Sequence, residues 1–332
     1  MAPVRRLVLL VVALVAGAWL ALPARADTVY VVSFTTGGLY SFDTADPADT
    51  FTTRVTAGSM TKPAAITVGP DGNLYIGADG DGATVAPSIH RYAPATGLTT
   101  VHTFSGFDVF PGSLAFKGSD LLVGRNPFFG NTGPIVRVTG ATSGATAVSD
   151  YTTGGDLASS PGLALAADGT LYVSDQTYDF GTGVASGPVK RFGPTGAYDG
   201  VLIADGTNGL VGPTGLALRG DTLYTVSIGT GSVLQTSLGP PAVTGPFAAT
   251  GVPFGVGAIA LLSDGGLVGG NPAGNGVIYR FAPDGSSLSS FSSGLGQIGG
   301  LVAVPEPSWA ACGLAGLAAA AWLRARRVTG RR

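Results

Sequence analysis

The sequence predicts an all-β fold built from repeated four-stranded antiparallel units. One apolar stretch of about five residues recurs six times, starting at Val29, Leu74, Leu121, Leu171, Leu223 and Leu267. The successive spacings are 45, 47, 50, 52 and 44 residues. Other short apolar stretches recur in the same register on either side of it. Four strands in a period near 45 residues are typical of a propeller blade, so we predict a six-bladed β-propeller.

The innermost strand of each blade is predicted from a small-apolar-small-apolar pattern. It occurs at 65–68, 113–116, 162–165, 215–218, 258–261 and 300–304. Such alternation suits a strand that is crowded on both faces near the propeller axis. Several copies are joined to the next apolar stretch by Asp-Gly, as at 71–72, 168–169 and 264–265. Asp-Gly between two apolar runs predicts a tight hairpin with a type I′ turn.

Two outer strands complete each unit. The third strand is predicted at 39–44, 89–94, 135–140, 189–194, 233–238 and 278–283. A more polar fourth strand follows, for instance at 98–104 and 288–294. Four third strands carry an arginine in one register: Arg91, Arg137, Arg191 and Arg280. We expect these arginines to pair with aspartates of neighbouring blades.

The two ends of the repeat region complement one another. Residues 27–304 begin with a second-strand pattern and finish with an innermost-strand pattern. Pairing of these strands would complete the first blade and leave no open sheet edge. Seven blades or another β-architecture are the alternatives, but a β-sandwich would not repeat one register six times. No linker divides the region, so one domain is expected over 27–304.

The composition of residues 27–303 limits the function. This region has no Trp, Cys or Glu, and its ten basic residues against 19 aspartates give a formal charge of −9. Nucleic acid is therefore excluded as a partner, because phosphate binding requires a basic surface. Without cysteine the region has no disulfides, so its stability must come from a large apolar core.

Residues 1–26 have the pattern of a secretory signal peptide. Arg5 and Arg6 precede an apolar run at 7–22, which predicts a signal helix. Ala24 and Ala26 flank one residue in the small-x-small pattern of a signal peptidase site, so cleavage is expected after Ala26. An uncleaved N-terminal anchor is the alternative.

The C-terminal segment combines three features in a fixed order. Pro305, Glu306 and Pro307 come first, and Glu306 is the only glutamate of the chain. An apolar run at 309–323 follows and predicts a transmembrane helix, with Trp309 and Trp322 suited to the membrane interfaces. Basic residues come last, at Arg324, Arg326 and Arg327 and in a tail at 328–332, and they are expected to stay cytoplasmic.

The stretch "VPEPSWAACGLAGLAAAAWLRARR" (304–327) resembles the PEP-CTERM sorting signal. The resemblance implies a Gram-negative bacterium and processing near Pro305–Pro307 by an exosortase. It further implies a precursor anchored in the inner membrane and a product at the cell surface or in an exopolysaccharide and biofilm matrix. A permanent membrane anchor is the alternative.

The repeat region is itself similar to a known superfamily. The stretches "PGLALAADGTLYVSDQ" (161–176) and "GPVKRFGPTG" (187–196) resemble blades of NHL-repeat and gluconolactonase/senescence-marker-protein propellers. This resemblance implies six blades. For the lactonase members it implies a divalent metal at the channel mouth, held by Glu, Asn and Asp side chains of different blades. Residues 27–303 contain no Glu, so one ligand type of that site is missing.

The residues at the ends of the second strands are expected to surround the channel mouth. They are Ser33, Ala78, Arg125, Asp175, Ser227 and Asn271. Asp175 and Asn271 are the best pair for a weak metal or sugar-hydroxyl site, with Arg125 able to pair with Asp175 across the channel. Capping of hairpin ends is the alternative role for Asp175 and Asn271.

Other polar features carry no evident chemistry. The "DGDG" stretch at 79–82 lacks the remaining ligands of a calcium loop and is interpreted as a solvated loop. His90 and His102 fall within strands, without a serine or cysteine partner at motif spacing. We therefore predict no catalytic residue and no cofactor, apart from the alternative of a divalent metal at the channel mouth.

Two functions follow from these patterns. The first is an exported, non-catalytic propeller that binds an exopolysaccharide or an extracellular protein. The second is a lactonase-like, metal-dependent hydrolase. At least three carboxylate or amide oxygens converging beside Asp175 would favour the hydrolase.

Overall fold

The computed structural model describes residues 26–126, 132–144, 146–179 and 181–306. Their regular secondary structure is almost entirely β-strand, the exception being one 3-10 turn at Thr207–Gly209. The strands are β1 (Asp27–Ser33), β2 (Gly38–Asp43), β3 (Thr52–Val55), β4 (Pro63–Val68), β5 (Leu74–Ala78), β6 (Ser88–Ala93), β7 (Gly97–Thr103), β8 (Pro111–Lys117), β9 (Asp120–Arg125), β10 (Val136–Thr139), β11 (Ala147–Asp150), β12 (Leu163–Leu165), β13 (Leu171–Ser174), β14 (Thr177–Asp179), β15 (Val184–Ser186), β16 (Val189–Phe192), β17 (Tyr198–Ile203), β18 (Pro213–Arg219), β19 (Thr222–Ser227), β20 (Ser232–Ser237), β21 (Val243–Ala249), β22 (Ala258–Leu261), β23 (Leu267–Gly270), β24 (Val277–Phe281), β25 (Ser287–Ser292) and β26 (Ile298–Pro305).

All the described strands except β14 and β15 form six antiparallel sheets of four strands each, which confirms the predicted six-bladed β-propeller. The sheet orders are β26-β1-β2-β3, β4-β5-β6-β7, β8-β9-β10-β11, β12-β13-β16-β17, β18-β19-β20-β21 and β22-β23-β24-β25. We number the blades 1 to 6 in this order. The predicted closure is also confirmed, because β26 pairs with β1 from Asp27↔Pro305 to Ser33↔Ile298.

Apolar side chains fill the six seams between neighbouring blades. Each of the six core clusters combines residues of two adjacent blades, and the cluster around Leu301 joins blade 6 to blade 1. The innermost strands need small residues because adjacent blades converge there. A Cβ added to Gly162 would overlap the carbonyl oxygen of Thr214, and one added to Gly299 would overlap that of Pro63. The ring is therefore held together by burial between its blades.

The turns at Asp-Gly are hairpins, but they are not the predicted type I′ turns. In the first, Gly72 N donates to Gly69 O at 2.9 Å, and Gly69 N donates to Asn73 O at 2.8 Å. Gly72 has a φ of +74°, whereas Asp71 is absent from the residues with positive φ. This geometry is a type I turn followed by a left-handed glycine, the three-residue hairpin loop with a G1 bulge. The same hydrogen bonds recur at 166–170 and 262–266.

The repeated arginines pair with aspartates, but mostly within their own blade. Arg91 lies 3.9 Å from Asp71, Arg137 lies 4.0 Å from Asp120, and Arg191 lies 2.7 Å from Asp199. The predicted pairing between blades holds for Arg280 alone, whose partner is Asp49 of blade 1. The aspartates lie at the turn before the second strand (Asp71), at the start of that strand (Asp120) or in the fourth strand (Asp199) of the same blade, which the repeat spacing did not indicate.

One element of blade 4 was not predicted. β14 and β15 form a separate two-stranded hairpin between the second and third strands of that blade. It accounts for the largest spacing in the repeat, the 52 residues from Leu171 to Leu223. The hairpin begins directly after Gln176, at the edge of the channel mouth.

The two ends of the described chain leave blade 1 side by side. Pro305 is the last residue of β26 and pairs with Asp27, and Glu306 N donates to Ala26 O at 3.2 Å. The predicted signal helix, the residues beyond Glu306 and the predicted transmembrane helix lie outside the described residues. Within the described part, no helix has the length and apolar character needed to cross a bilayer.

Candidate ligand-binding site

A cavity of about 310 Å³ lies on the propeller axis, because all six blades contribute to its wall. Its lining residues come from the starts of innermost strands and from the ends of second strands, so this end is the channel mouth. The wall consists of Phe34, Lys62, Ala64, Gly112, Asn126, Pro161, Gln176, Thr214, Ile228, Gly257, Pro272, Gln297, Ile298 and Gly299. Most of this surface is apolar, with a few polar groups, as in sites for small molecules.

The residues predicted to surround the mouth are displaced by one position from those that do. The residue after each predicted position is Phe34, Asp79, Asn126, Gln176, Ile228 or Pro272, and all of these except Asp79 line the cavity. Successive side chains of an extended chain point to opposite sides. A shift of one residue therefore turns the side chain from the channel into the interior of the blade. Accordingly, Ser33 Oγ donates to Leu295 O at 2.5 Å, and Ser227 Oγ donates to Gly209 O at 2.9 Å.

The three predicted ligand-binding residues make contacts within the protein. Asp175 lies 2.6 Å from Lys190 Nζ and accepts a hydrogen bond from Ala158 N at 2.7 Å. Asn271 Oδ1 accepts one from Ala273 N at 2.6 Å, which closes a local turn. The expected ion pair between Arg125 and Asp175 is wrong, because the ion pair of Asp175 is with Lys190.

Arg125 points its guanidinium at main-chain carbonyl groups. Its Nε donates to Pro134 O at 3.0 Å, and Nη1 donates to Asp108 O. Ligand binding by Asp175, Asn271 and Arg125 stays a prediction.

Two buried polar side chains of the cavity wall make no hydrogen bond to the described residues. Gln176 is 3% exposed, and its side-chain amide has no protein partner there, although its main-chain carbonyl accepts from Ser159 Oγ at 2.6 Å. Thr214 is 7% exposed, and its Oγ1 is a buried atom without a partner. Buried polar groups are normally hydrogen-bonded, so both side chains are candidates for bonding a ligand in the cavity; the Thr214 hydroxyl is itself shielded and reaches a ligand only after a rotation of its side chain.

A buried carboxyl group lies beside the cavity wall. Asp79 is fully buried, and its Oδ2 accepts a hydrogen bond from Asn126 Nδ2 at 2.7 Å, while Oδ1 has no partner among the described residues. Burial raises the pKa of Asp79 well above its ordinary value, and the hydrogen bond from Asn126 and the charge of Lys62 oppose this rise only in part. Lys62 has a left-handed backbone, with φ of +53°.

The "DGDG" stretch therefore separates into two different environments. Asp79 is buried, contrary to the predicted solvated loop. Asp81 holds the loop that follows, accepting hydrogen bonds from Ala83 N at 2.8 Å and from Thr84 N and Val85 N at 2.7 Å. No three His, Cys, Asp or Glu side chains cluster as metal ligands in the described ranges. The divalent-metal alternative remains a prediction.

Both histidines lie on strand faces, as predicted, but one has a serine partner that the spacing argument missed. Ser88 Oγ is 2.9 Å from His90 Nε2, and His90 Nδ1 is 3.3 Å from Thr100 Oγ1. Burial lowers the pKa of His90. A catalytic triad has an acid on the far side of its histidine, whereas Thr100 occupies that place here, and Ser88 is absent from the cavity wall.

Asp79 gives a pH dependence of stability that can be measured. Its folded-state pKa is raised, so the folded protein keeps a proton that the unfolded chain loses near pH 4. The contribution of Asp79 is therefore largest at low pH and is lost as pH rises through the folded-state pKa. We expect Asp79→Asn to have a higher free energy of unfolding than wild type at pH 8. Its free energy of unfolding should also decrease less with rising pH. Urea unfolding followed by circular dichroism between pH 5 and 9 tests this, and equal slopes for both proteins would contradict it.

The comparisons with known proteins support the fold. No family model matches the chain, and no curated protein matches it in sequence. Among solved structures, a nidogen/laminin complex is similar with a TM-score of 0.66 and 14% identity, over 84% of this chain and 98% of that chain.

Two bacterial structures are also similar. A putative 6-phosphogluconolactonase from Bacteroides uniformis has a TM-score of 0.55 and 20% identity, over 81% of this chain and 83% of that chain. One from Bacteroides fragilis has a TM-score of 0.51 and 16% identity, over 81% and 82%. The shared property is the β-propeller. At these identities the likeness concerns the fold alone.

Proposed function

We propose that this chain is an exported, exosortase-sorted propeller of a Gram-negative cell surface or exopolysaccharide matrix, and that the mouth cavity binds a saccharide unit without catalysis. The observation that carries this proposal is that two polar groups of the wall, the Gln176 amide and the Thr214 hydroxyl, have no hydrogen-bond partner among the described residues. Both groups donate and accept hydrogen bonds, as do sugar hydroxyls.

The rest of the cavity wall suits the same ligand class. Phe34 and Ile228 offer apolar surface to the C–H face of a sugar ring, while Asn126 and Gln297 add amide groups. The volume of about 310 Å³ is at the lower end of the range for small-molecule sites, which suits one or two sugar rings. None of the residues in this wall is a carboxylate, so a neutral or acidic saccharide is favoured over a cationic ligand.

The two ends of the repeat region lie on the side of the propeller opposite the cavity, which agrees with a cavity that faces away from an attachment surface. The mouth lies where the innermost strands begin, whereas β1 begins and β26 ends at the opposite end of the blades. A C-terminal segment held in a membrane or attached to a surface would leave the propeller from that opposite end. The cavity would then open away from the attachment surface, towards extracellular polymer.

Side-chain substitutions in the wall test the saccharide site. We expect Gln176→Leu and Thr214→Val each to weaken binding about tenfold, because a buried hydrogen bond to a ligand contributes about 1–2 kcal/mol. The measurement is calorimetric titration with a panel of neutral, amino-sugar and uronic-acid oligosaccharides.

The chain offers a matched control for Thr214. Thr225 is also a buried threonine whose hydroxyl has no partner among the described residues, but it is absent from the cavity wall. Thr225→Val should leave binding unchanged. Wild-type affinity in both wall variants, or equal loss in the Thr225 control, would refute the saccharide site.

A lactonase-like, metal-dependent hydrolase is the second candidate, favoured by one observation. A buried carboxyl group with a raised pKa beside a cavity is a candidate acid or base, and Asp79 with Asn126 has that environment. Hydrolysis of sugar lactones by the purified protein with added Ca²⁺ or Zn²⁺, abolished in Asp79→Asn, would establish this activity in place of simple binding.

A further inference from the structure

Asp27 lies in the closing seam, the region where β1 pairs with β26 and contacts blade 6. Its carboxylate is buried there without a positively charged partner among the described residues. Asp27 is 1% exposed and is the first residue of β1. Its Oδ2 accepts hydrogen bonds from Ser263 N at 2.8 Å and Ser263 Oγ at 3.1 Å. Its Oδ1 is a buried atom with no hydrogen-bond partner in the described structure. A buried carboxylate that lacks a partner for one oxygen is destabilising.

Arg280 is connected to Asp27 through Thr44, but its guanidinium already forms an ion pair with Asp49. Arg280 donates to Thr44 O at 3.3 Å and pairs with Asp49. Thr44 in turn donates its main-chain N–H to Asp27 O at 3.0 Å. The guanidinium therefore reaches the residue beside Asp27, but no ion pair between Arg280 and Asp27 is present.

The main chain of Asp27 is fixed independently of the residue before it. Asp27 N donates to Thr44 Oγ1 at 2.8 Å, and Asp27 pairs with Pro305 across the β1–β26 ladder. The contact of Ala26 in the described structure is the hydrogen bond that its carbonyl accepts from Glu306 N, at the exposed end of the sheet. Water can replace that bond if Ala26 is removed.

We propose that removal of the signal peptide supplies the missing partner, so that the new α-ammonium group of Asp27 becomes the counter-ion of its own buried carboxylate. Hydrolysis adds water across the Ala26–Asp27 bond, leaving a carboxylate on Ala26 and an amine on Asp27 that is protonated at neutral pH. The ammonium is two carbons from the carboxylate. One N–H keeps the bond to Thr44 Oγ1, and two more N–H groups are available for Oδ1.

This inference rests on the proposed export of the chain and concerns its maturation. It makes the processed N-terminus part of the closing seam, since Asp27 connects β1 to the blade 6 turn at Ser263 and to the end of β26. The mature protein would then be more stable than its precursor, and closure of the ring would be strengthened by the same step that releases the chain from the signal peptide.

A double-mutant cycle tests the proposal on the chain through Arg332 in detergent. Four proteins are compared: chains that begin at position 27 or retain Arg25-Ala26 before it, each with the native Asp27 or with the substitution Asp27→Asn. We expect the retained dipeptide to raise the unfolding equilibrium constant about tenfold in the native background and less than twofold in the Asp27→Asn background. Urea unfolding followed by circular dichroism gives the constants.

Equal effects of the dipeptide in both backgrounds would overturn the proposal. So would N-terminal sequencing that shows a mature protein beginning elsewhere than Asp27. A failure of the proposed saccharide binding can be distinguished from a failure of this proposal, because the cavity is at the other end of the blades from Asp27. Saccharide binding is therefore expected to be the same in all four proteins, and its absence would count against the binding function alone.

Discussion

Lys190→Met is expected to lower the free energy of unfolding by about 3–5 kcal/mol, the usual effect of removing one partner of a buried ion pair. Lys190 Nζ lies 2.6 Å from Asp175 Oδ2, and their side chains are only 13% and 9% exposed. The ammonium also donates to the carbonyl oxygens of Gly155 at 3.0 Å and Asp156 at 2.6 Å. Methionine keeps most of the side-chain volume but leaves the Asp175 carboxylate buried without its counter-charge.

The neighbouring residue provides a matched control. Arg191 lies in the same strand and forms an ion pair with Asp199 at 2.7 Å, but those side chains are 43% and 56% exposed. Arg191→Met should therefore cost less than about 1 kcal/mol, as exposed pairs contribute little. Urea unfolding of both variants gives the difference. Equal losses would show that the Asp175–Lys190 pair does not stabilise blade 4.

The same ion pair bears on the cavity. Asp175 Oδ1 accepts a hydrogen bond from Ala158 N, and Lys190 holds the two carbonyl groups of the same loop. That loop leads to Pro161 in the cavity wall and then to the innermost strand β12. Asp175, which the sequence suggested as a ligand-binding residue, therefore fixes the loop that leads into the cavity wall.

The fold could be predicted because its information is local and repeated six times. Each blade carries the same apolar alternation at the same spacing, and the patterns at the two ends complement one another. An error in one copy is corrected by the other five. The details that were missed have two different origins. The β14–β15 hairpin occurs in blade 4 alone, whereas the G1 bulge recurs in three blades but depends on which residue of the turn adopts a positive φ.

The residues that line the cavity lie one position after those predicted to surround the channel mouth, because strand ends are the least regular part of the pattern. The repeat identifies where "LYVSD" ends, but not whether Asp175 or Gln176 turns towards the axis. A close reading of side-chain alternation could have suggested Gln176. No sequence signal could have identified Thr214, because its place in the cavity wall and the burial of its hydroxyl without a partner are products of folding. Asp79 is similar, because its burial depends on Asn126 in the next blade.

Leu301→Asp is expected to abolish folding of the propeller, because it would place an unpaired charge in the cluster that joins blade 6 to blade 1. Leu301 is 5% exposed and pairs with Val31 across the β1–β26 ladder. The graded variant Leu301→Ala should lose about 2–5 kcal/mol, the usual range for a buried leucine. Circular dichroism of the purified proteins and urea unfolding give the two results.

Val201 serves as the control for closure, since it lies in the outer strand β17 and is 50% exposed. Val201→Asp and Val201→Ala should each change stability by less than about 1 kcal/mol. If Leu301→Ala cost no more than Val201→Ala, β26 would be dispensable for the ring. A large difference would instead place a substantial part of the stability in the seam formed when the last strand meets the first. A propeller without disulfides relies on burial and on the β1–β26 ladder to keep its ring closed, and the loss should be greatest in blade 1, where β26 and β1 pair although they come from opposite ends of the repeat region.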